Sequence, residues 1–244
     1  MVAYLNSLHG TRIAYDRHPA PTQPGLVYLG GFRSDRQGIK ARYIQSLCQR
    51  LNLPFVRFDY AGHGDSSGCF EEGNLSLWLE DTLAIIDTLT EGPQILVGSS
   101  MGAWLMVLAA LRRPARMKAL IGIAAAPDFT DDFSLLSEAQ QRDLAVQGFC
   151  EIPSHEGAPY KITQQFIQDS QQHRILNGSI PLDCPVHLLH GLADESVAWQ
   201  QSVRLAEQLR SKVVEVLLLK GGDHRLSTEP QLHVLEQVIR RFVV

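Results

Sequence analysis

The segment Leu96-Val97-Gly98-Ser99-Ser100-Met101-Gly102-Ala103 has the form Gly-x-Ser-x-Gly, with a strand-like apolar run before it and a helix-like stretch after it. In that setting a tight turn strains the central serine and exposes its hydroxyl above a sheet. Glycines on either side let the strand and the helix close in around it. A helix N-terminus, with the Met101 N–H, then faces any negative charge forming on a bound acyl carbonyl. Gly64-Asp65-Ser66-Ser67-Gly68 fits the same pattern. It lies among Gly, Asp and Ser with no helix after it, so it reads as a loop and Ser66 as no nucleophile. Ser100 is the expected nucleophile.

A serine hydroxyl needs a base, and the base needs an orienting acid. Of nine histidines, His224 stands in Gly221-Gly222-Asp223-His224-Arg225, after the last strand-like run and before the last helix-like one. His187 and His190 are three apart in a strand, so they point to opposite faces and make a poor metal pair. His190 is expected to pack or to turn the chain. His9, His18, His155, His173 and His233 have no catalytic context. For the acid, Asp194 follows the run Val186–Leu189 on a loop at the same edge as Ser100. Glu195 beside it and Asp128 after the preceding strand are the alternatives, and Asp223 reads as a turn residue. A second oxyanion donor is expected from Leu29-Gly30-Gly31-Phe32, where paired glycines let the Phe32 N–H turn inward. The Gly-rich loop Arg57–Ser66 lacks phosphate-binding spacing and is read as structural.

These groups need a scaffold, and the chain supplies one. It has 244 residues, 45% of them hydrophobic and 20% charged, enough to bury a large core and too apolar for a disordered chain. Short apolar runs at Leu26–Leu29, Phe55–Phe58, Ile95–Val97, Ala119–Ile123, Val186–Leu189 and Val213–Leu219 suit strands covered on both faces. They alternate with helix-like stretches at Ile39–Leu51, Leu75–Leu89, Ser100–Leu111, Ala198–Leu209 and Pro230–Phe242, after an opening hairpin at Tyr4–Asn6 and Arg12–Tyr15. Such alternation predicts a mostly parallel sheet with right-handed crossovers. The expected organisation is one α/β domain over residues 1–244. From about 128 to 182 the alternation lapses into polar helical pieces, Ser137–Val146 and Ile162–Ile175, read as an inserted helical cap. Phe129, Phe133 and Phe149 of this insertion are expected to border an apolar acyl pocket.

Composition removes other classes. A net charge of −4 with no long basic run leaves no footprint for nucleic acid. The longest apolar stretches, such as Ala119–Ala126, are too short to span a membrane. The N-terminal Met1–Ser7 has neither signal-peptide nor transit-peptide character, and four cysteines lie far apart, so a reduced, cytoplasmic protein is expected.

Taken together, the Ser100 motif, Asp59-Tyr60-x-Gly62-x-Gly64-x-Ser66, His190-Gly191-x-x-Asp194 and Asp223-His224 resemble the α/β-hydrolase superfamily, whose chain order Ser, Asp, His they follow. Gly92–Ser100, Trp104-Leu105-Met106, Ala119–Ile123, Cys184-Pro185 and Leu188–Gly191 are similar to the palmitoyl-protein thioesterase / mycophenolic acid acyl-glucuronide esterase family. The resemblance implies an eight-stranded sheet, a triad of Ser100, Asp194 and His224, and hydrolysis of thioesters or acyl glucuronides, S-acylated proteins among the substrates. Such chemistry needs neither metal nor organic cofactor, and it should fail in acid as His224 takes up a proton. An acyltransferase or peptidase on the same scaffold, or a ligand-binding protein of that fold without turnover, are the competing readings.

Overall fold

The computed structural model describes residues 2–7, 9–131, 136–154 and 157–243. Strands β1 (Ala3–Asn6), β2 (Arg12–His18), β3 (Gly25–Leu29), β4 (Phe55–Phe58), β5 (Gln94–Ser99), β6 (Met117–Ile123), β9 (Val186–Gly191) and β10 (Val214–Leu219) form one sheet in the order β1-β2-β4-β3-β5-β6-β9-β10. β1 and β2 pair antiparallel, as do β2 and β4; every other pairing is parallel.

Helices cover both faces, which is why the inner strands read as unbroken apolar runs rather than alternating ones. In β3, Val27 and Leu29 join a core with α2 (Leu75–Leu89), α3 (Met101–Arg112) and Leu205 of α6 (Gln200–Gln208). Their neighbours Leu26 and Tyr28 face the other way, onto α1 (Ile39–Leu51) and α7 (Glu229–Val243). Helix α3 lies at the centre, with all residues from Met101 to Ala110 buried. Helix α2 starts where Asn74 caps it, its side chain accepting the Leu77 N–H at 2.8 Å.

The parallel pairing of β3, β5, β6, β9 and β10 brings their C-terminal ends to one edge. The chain runs outward from β3 to β4 and then crosses back to β5, so the loops after β3 and β5 flank a crevice. Ligands in open α/β sheets bind at such a reversal.

The insertion differs from the helical cap expected. After α4 (Glu138–Gln147) the chain forms an antiparallel hairpin, β7 (Phe149–Ser154) with β8 (Gly157–Thr163), before α5 (Gln164–Gln171). Cys150 and Ile162 are opposite each other in the hairpin and both are buried. A period of two running through Cys150, Ile152, Tyr160 and Ile162 marks these strands, but charged and proline neighbours mask it in the sequence. Thr163 caps α5 by accepting the Phe166 N–H, so the helix begins where β8 ends. The insertion is clasped to α2 through Ser76, whose hydroxyl reaches Asp169 Oδ1 at 2.5 Å and His173 Nε2 at 2.7 Å.

Candidate active site

Ser100 sits between β5 and α3 with φ 55° and ψ −120°, a conformation that costs a non-glycine residue of order 1–3 kcal/mol. Packing holds it there. A side chain at Gly98 would run into the Gly102 carbonyl, and one at Gly102 into the carbonyls of Leu29 and Gly30. The two glycines therefore set how closely α3 approaches β5 and β3.

The structure brings Ser100, His224 and Asp194 together. His224 Nε2 lies 3.1 Å from Ser100 Oγ, and His224 Nδ1 lies 2.8 Å from Asp194 Oδ2. The loops carrying the last two meet through the Ala193 N–H, which donates to Gly222 O at 2.9 Å. Asp194 has a fully buried side chain, and all its lone pairs face donors. Oδ1 accepts the N–H groups of Ser196 and Val197 at 2.9 and 2.8 Å, and Oδ2 accepts from His224 and from His190 Nε2 at 3.0 Å. Burial pushes this carboxyl up, but hydrogen bonds from His190, His224 and Val197 outweigh it and hold Asp194 well below the usual carboxylate range.

Sequence reasoning gave His190 only a role in packing or in turning the chain. Its Nε2 lies between two acceptors, Asp194 Oδ2 and the Val197 carbonyl at 3.1 Å, so that nitrogen carries the proton. Ser202 Oγ lies 2.7 Å from Nδ1. The signal was present in strand parity, since His190 and His187 must face opposite sides of β9. His187 indeed packs on Phe242 of α7.

The alternatives for the acid are placed elsewhere. Glu195 is exposed. The Asp128 carboxylate accepts the N–H groups of Ile175 and Leu176, the latter at 2.8 Å, and so ties down the far end of the insertion. Asp223 accepts the Leu226 N–H at 3.0 Å, the turn role read from the sequence. Ser66 is a staple: its hydroxyl donates to the Asp59 carbonyl at 2.7 Å and accepts the Ala14 N–H at 2.8 Å.

The loop after β3 lies against the Ser100 turn, for a Cβ on Gly31 would stand 3.3 Å from Ser100 Cβ. Among the described residues neither the Phe32 N–H nor the Met101 N–H is taken up by a hydrogen bond. The Phe32 ring meets Phe129 at 6.0 Å between centroids, and also Phe70, Trp78, Tyr160 and Phe166. Phe149 stands on β7 with Lys161 Nζ 5.0 Å from its ring centre, and no ring contact joins it to that cluster among the described residues. Phe133 lies outside the described residues.

Further along the same loop, Arg36 is nearly inaccessible and meets Asp59 through both its backbone N–H and its guanidinium, the latter at 2.6 Å. Asp65 and Asp16 complete its shell. Asp59→Asn should lower stability by about 3 kcal/mol in urea denaturation at pH 7, because it discharges one half of a buried pair. A loss under half of that would mean that Asp65 and Asp16 suffice to neutralise Arg36.

His63, in the loop read as structural, is buried, and its imidazole is pushed down from 6.5 to about 4, by burial first and then by the Arg33 charge. Between those values the unfolded chain binds the proton and the folded protein does not, so this contribution to stability is full above pH 6.5 and lost as pH falls through 4. Asp81, raised by burial to about 6, acts in the opposite sense over part of that range. The comparison that isolates His63 is therefore with His63→Gln. The stability difference, wild type minus variant, should fall between pH 6.5 and 4 in thermal melts, and a difference independent of pH would count against it.

Comparison with known proteins gives three close likenesses and a family match. A family model described as serine aminopeptidase, S33 (Hydrolase_4) matches residues 37–149. The mouse (Mus musculus) protein named palmitoyl-protein thioesterase ABHD10, mitochondrial, is 40% identical over 237 residues, covering 96% of this chain and 80% of that one. The solved structure of mouse alpha/beta hydrolase domain-containing protein 10 superposes with a TM-score of 0.92 at 39% identity, over 99% of this chain and 97% of the other. A solved structure from Agrobacterium vitis S4 superposes with a TM-score of 0.95 at 35% identity, over 100% of this chain and 99% of the other. The fold is that of the α/β hydrolases. The mouse relative is mitochondrial by name, which overturns the cytoplasmic location expected from the N-terminal composition. An organelle address is a short segment separable from the fold, so the composition of the chain was a poor guide to compartment.

Proposed function

Because this chain belongs to the ABHD10 palmitoyl-protein thioesterase family of α/β hydrolases, we propose that it cleaves carboxylic thioesters and esters by two-step acyl transfer from Ser100 to water. The observation that carries this reading is the unbroken line from Asp194 through His224 to Ser100, beside the N–H groups of Met101 and Phe32, for which no hydrogen-bond partner stands among the described residues. Asp194 fixes the proton of His224 on Nδ1, which leaves Nε2 as a base aimed at the hydroxyl. Ser100 Oγ attacks the acyl carbonyl carbon as Nε2 takes its proton. The N–H groups of Met101 and Phe32 hold the oxyanion. As the tetrahedral species collapses, His224 returns that proton to the departing thiolate or alkoxide. Water, deprotonated by the same nitrogen, then releases the carboxylic acid and restores the serine.

The aromatic cluster around Phe32, covered by β8 and α5, suits an apolar acyl group; Phe129 belongs to it. We read residues 128–182 as the cap over this site. The substrates of the mouse relative, S-palmitoylated proteins by its name, are the first class to try, with acyl glucuronides second. A fluorophosphonate should label the wild type at Ser100 and leave Ser100→Ala unlabelled. A panel of p-nitrophenyl esters, acyl-CoA, S-acyl peptides and acyl glucuronides, ranked by kcat/KM, would choose among substrates. A wild type that is neither labelled nor active on any of them would sink the proposal in favour of a ligand-binding role.

A further inference from the structure

We infer that His63 is a positioning residue for the oxyanion site: its imidazole accepts the Arg33 N–H and so sets the turn that presents the Phe32 N–H to the reacting carbonyl. The inference rests on the reaction proposed above and concerns how its charge is held.

The geometry starts at Gly31, packed against Ser100. The Ser34 N–H donates to Gly31 O at 3.1 Å, closing a turn over residues 31–34. In a trans peptide the N–H points opposite to the C=O. The Gly31 carbonyl faces into the turn, so the Phe32 N–H of the same peptide faces out of it. Arg33 comes next with φ 56°, a left-handed conformation that an arginine does not adopt without support. Its N–H is the one that meets His63 Nε2, at 3.3 Å.

The partners of His63 fix which nitrogen carries the proton. Nδ1 lies 3.3 Å from the Ala61 carbonyl, which can only accept, so Nδ1 holds the proton and Nε2 offers its lone pair to Arg33. A protonated imidazole would set one N–H against another at that point. The ring is locked between the edges and faces of Tyr60, Phe70 and Trp78 at 5.0–5.4 Å. Ala61 is itself held by α2, through the Trp78 indole N–H on its carbonyl at 3.0 Å and the Asp81 carboxylate on its N–H at 2.8 Å. A rigid path thus runs from α2 through the imidazole to the loop beside Ser100. Purely apolar packing would fill the space equally well but would leave the Arg33 N–H without an acceptor.

The test uses the whole protein and His63→Leu, which keeps the bulk and removes the acceptor. Misaiming one donor without deleting it should lower kcat by roughly 10- to 100-fold, less than the loss of a donor outright. KM should stay within about twofold. Affinity for a boronic acid, which forms a tetrahedral adduct on Ser100, should fall by the same factor as kcat/KM, while affinity for the planar carboxylate product should not move. His63→Gln, whose amide oxygen can take the place of Nε2, should recover most of the loss. His63→Asn reaches the Ala61 carbonyl but not Arg33, so it should behave like His63→Leu and carries the test if that variant does not fold. Wild-type kcat and boronate affinity in the folded Leu or Asn variant would overturn the inference alone. So would equal losses in the Leu and Gln variants. A wild type that a fluorophosphonate leaves unlabelled would overturn the reading of Ser100 as nucleophile, and this inference with it.

Discussion

Ser100→Ala should lower kcat by roughly 10⁴- to 10⁶-fold on whichever ester or thioester proves best. That range corresponds to about 5–8 kcal/mol of barrier. The reason is that, among the described residues, it is the Ser100 hydroxyl that lies within hydrogen-bond distance of His224 Nε2. Ser66 spends its hydroxyl on the backbone of β2 and Asp59. The residual rate would come from water attack assisted by His224 and the Met101 and Phe32 N–H groups. Stability should hardly change, because alanine meets the same backbone strain at φ 55° and the Ser100 side chain has His224 as its hydrogen-bond partner. Steady-state kinetics beside a melting curve settles both points. A folded variant retaining a tenth of wild-type activity would remove Ser100 from the reaction.

Asp194→Asn should cost about 10⁴-fold in kcat, with the fold preserved. The neighbours decide which way the amide turns. Two peptide N–H groups face Oδ1, and peptides cannot exchange donor for acceptor; two imidazoles face Oδ2, and imidazoles can. The asparagine NH2 therefore turns towards the histidines. His224 must then accept at Nδ1 and carry its proton on Nε2, the nitrogen that should take the proton of Ser100. Histidine 190 is less free to follow, because its Nε2 also serves the Val197 carbonyl. Asp128→Asn is the control. It faces the Ile175 and Leu176 N–H groups rather than an imidazole, so it should lower stability by about 1–3 kcal/mol and leave kcat within about twofold. A drop of several orders of magnitude for Asp128→Asn, with Asp194→Asn active, would move the acid to the strand before.

How much of this could be read without coordinates follows from how local each signal is. Helices α1 and α2 cover the same residues that periodicity marks out, because amphipathic spacing and the Asn74 cap act within a few residues. The strand runs were legible because burial on both faces leaves them uniformly apolar. The hairpin β7–β8 was not, since a half-exposed edge pair carries Glu151, Pro153 and Lys161 among its apolar positions.

What the sequence alone determined is the Gly-x-Ser100-x-Gly turn and the order Ser100, Asp194, His224 along strands that share one edge. A Gly-x-Ser-x-Gly turn is specified by five adjacent residues, and parallel strands bring every following loop to the same end of the sheet. The tertiary structure decided which polar groups surround those three. His63 beneath Arg33 and the pairing of Arg36 with Asp59 join residues far apart in the chain, and His190 and Asp194, though four apart in one motif, meet only through the fold of the loop after β9. A buried hydrogen bond depends on direction to within a few tenths of an ångström, and only the packed helices and loops fix direction that finely.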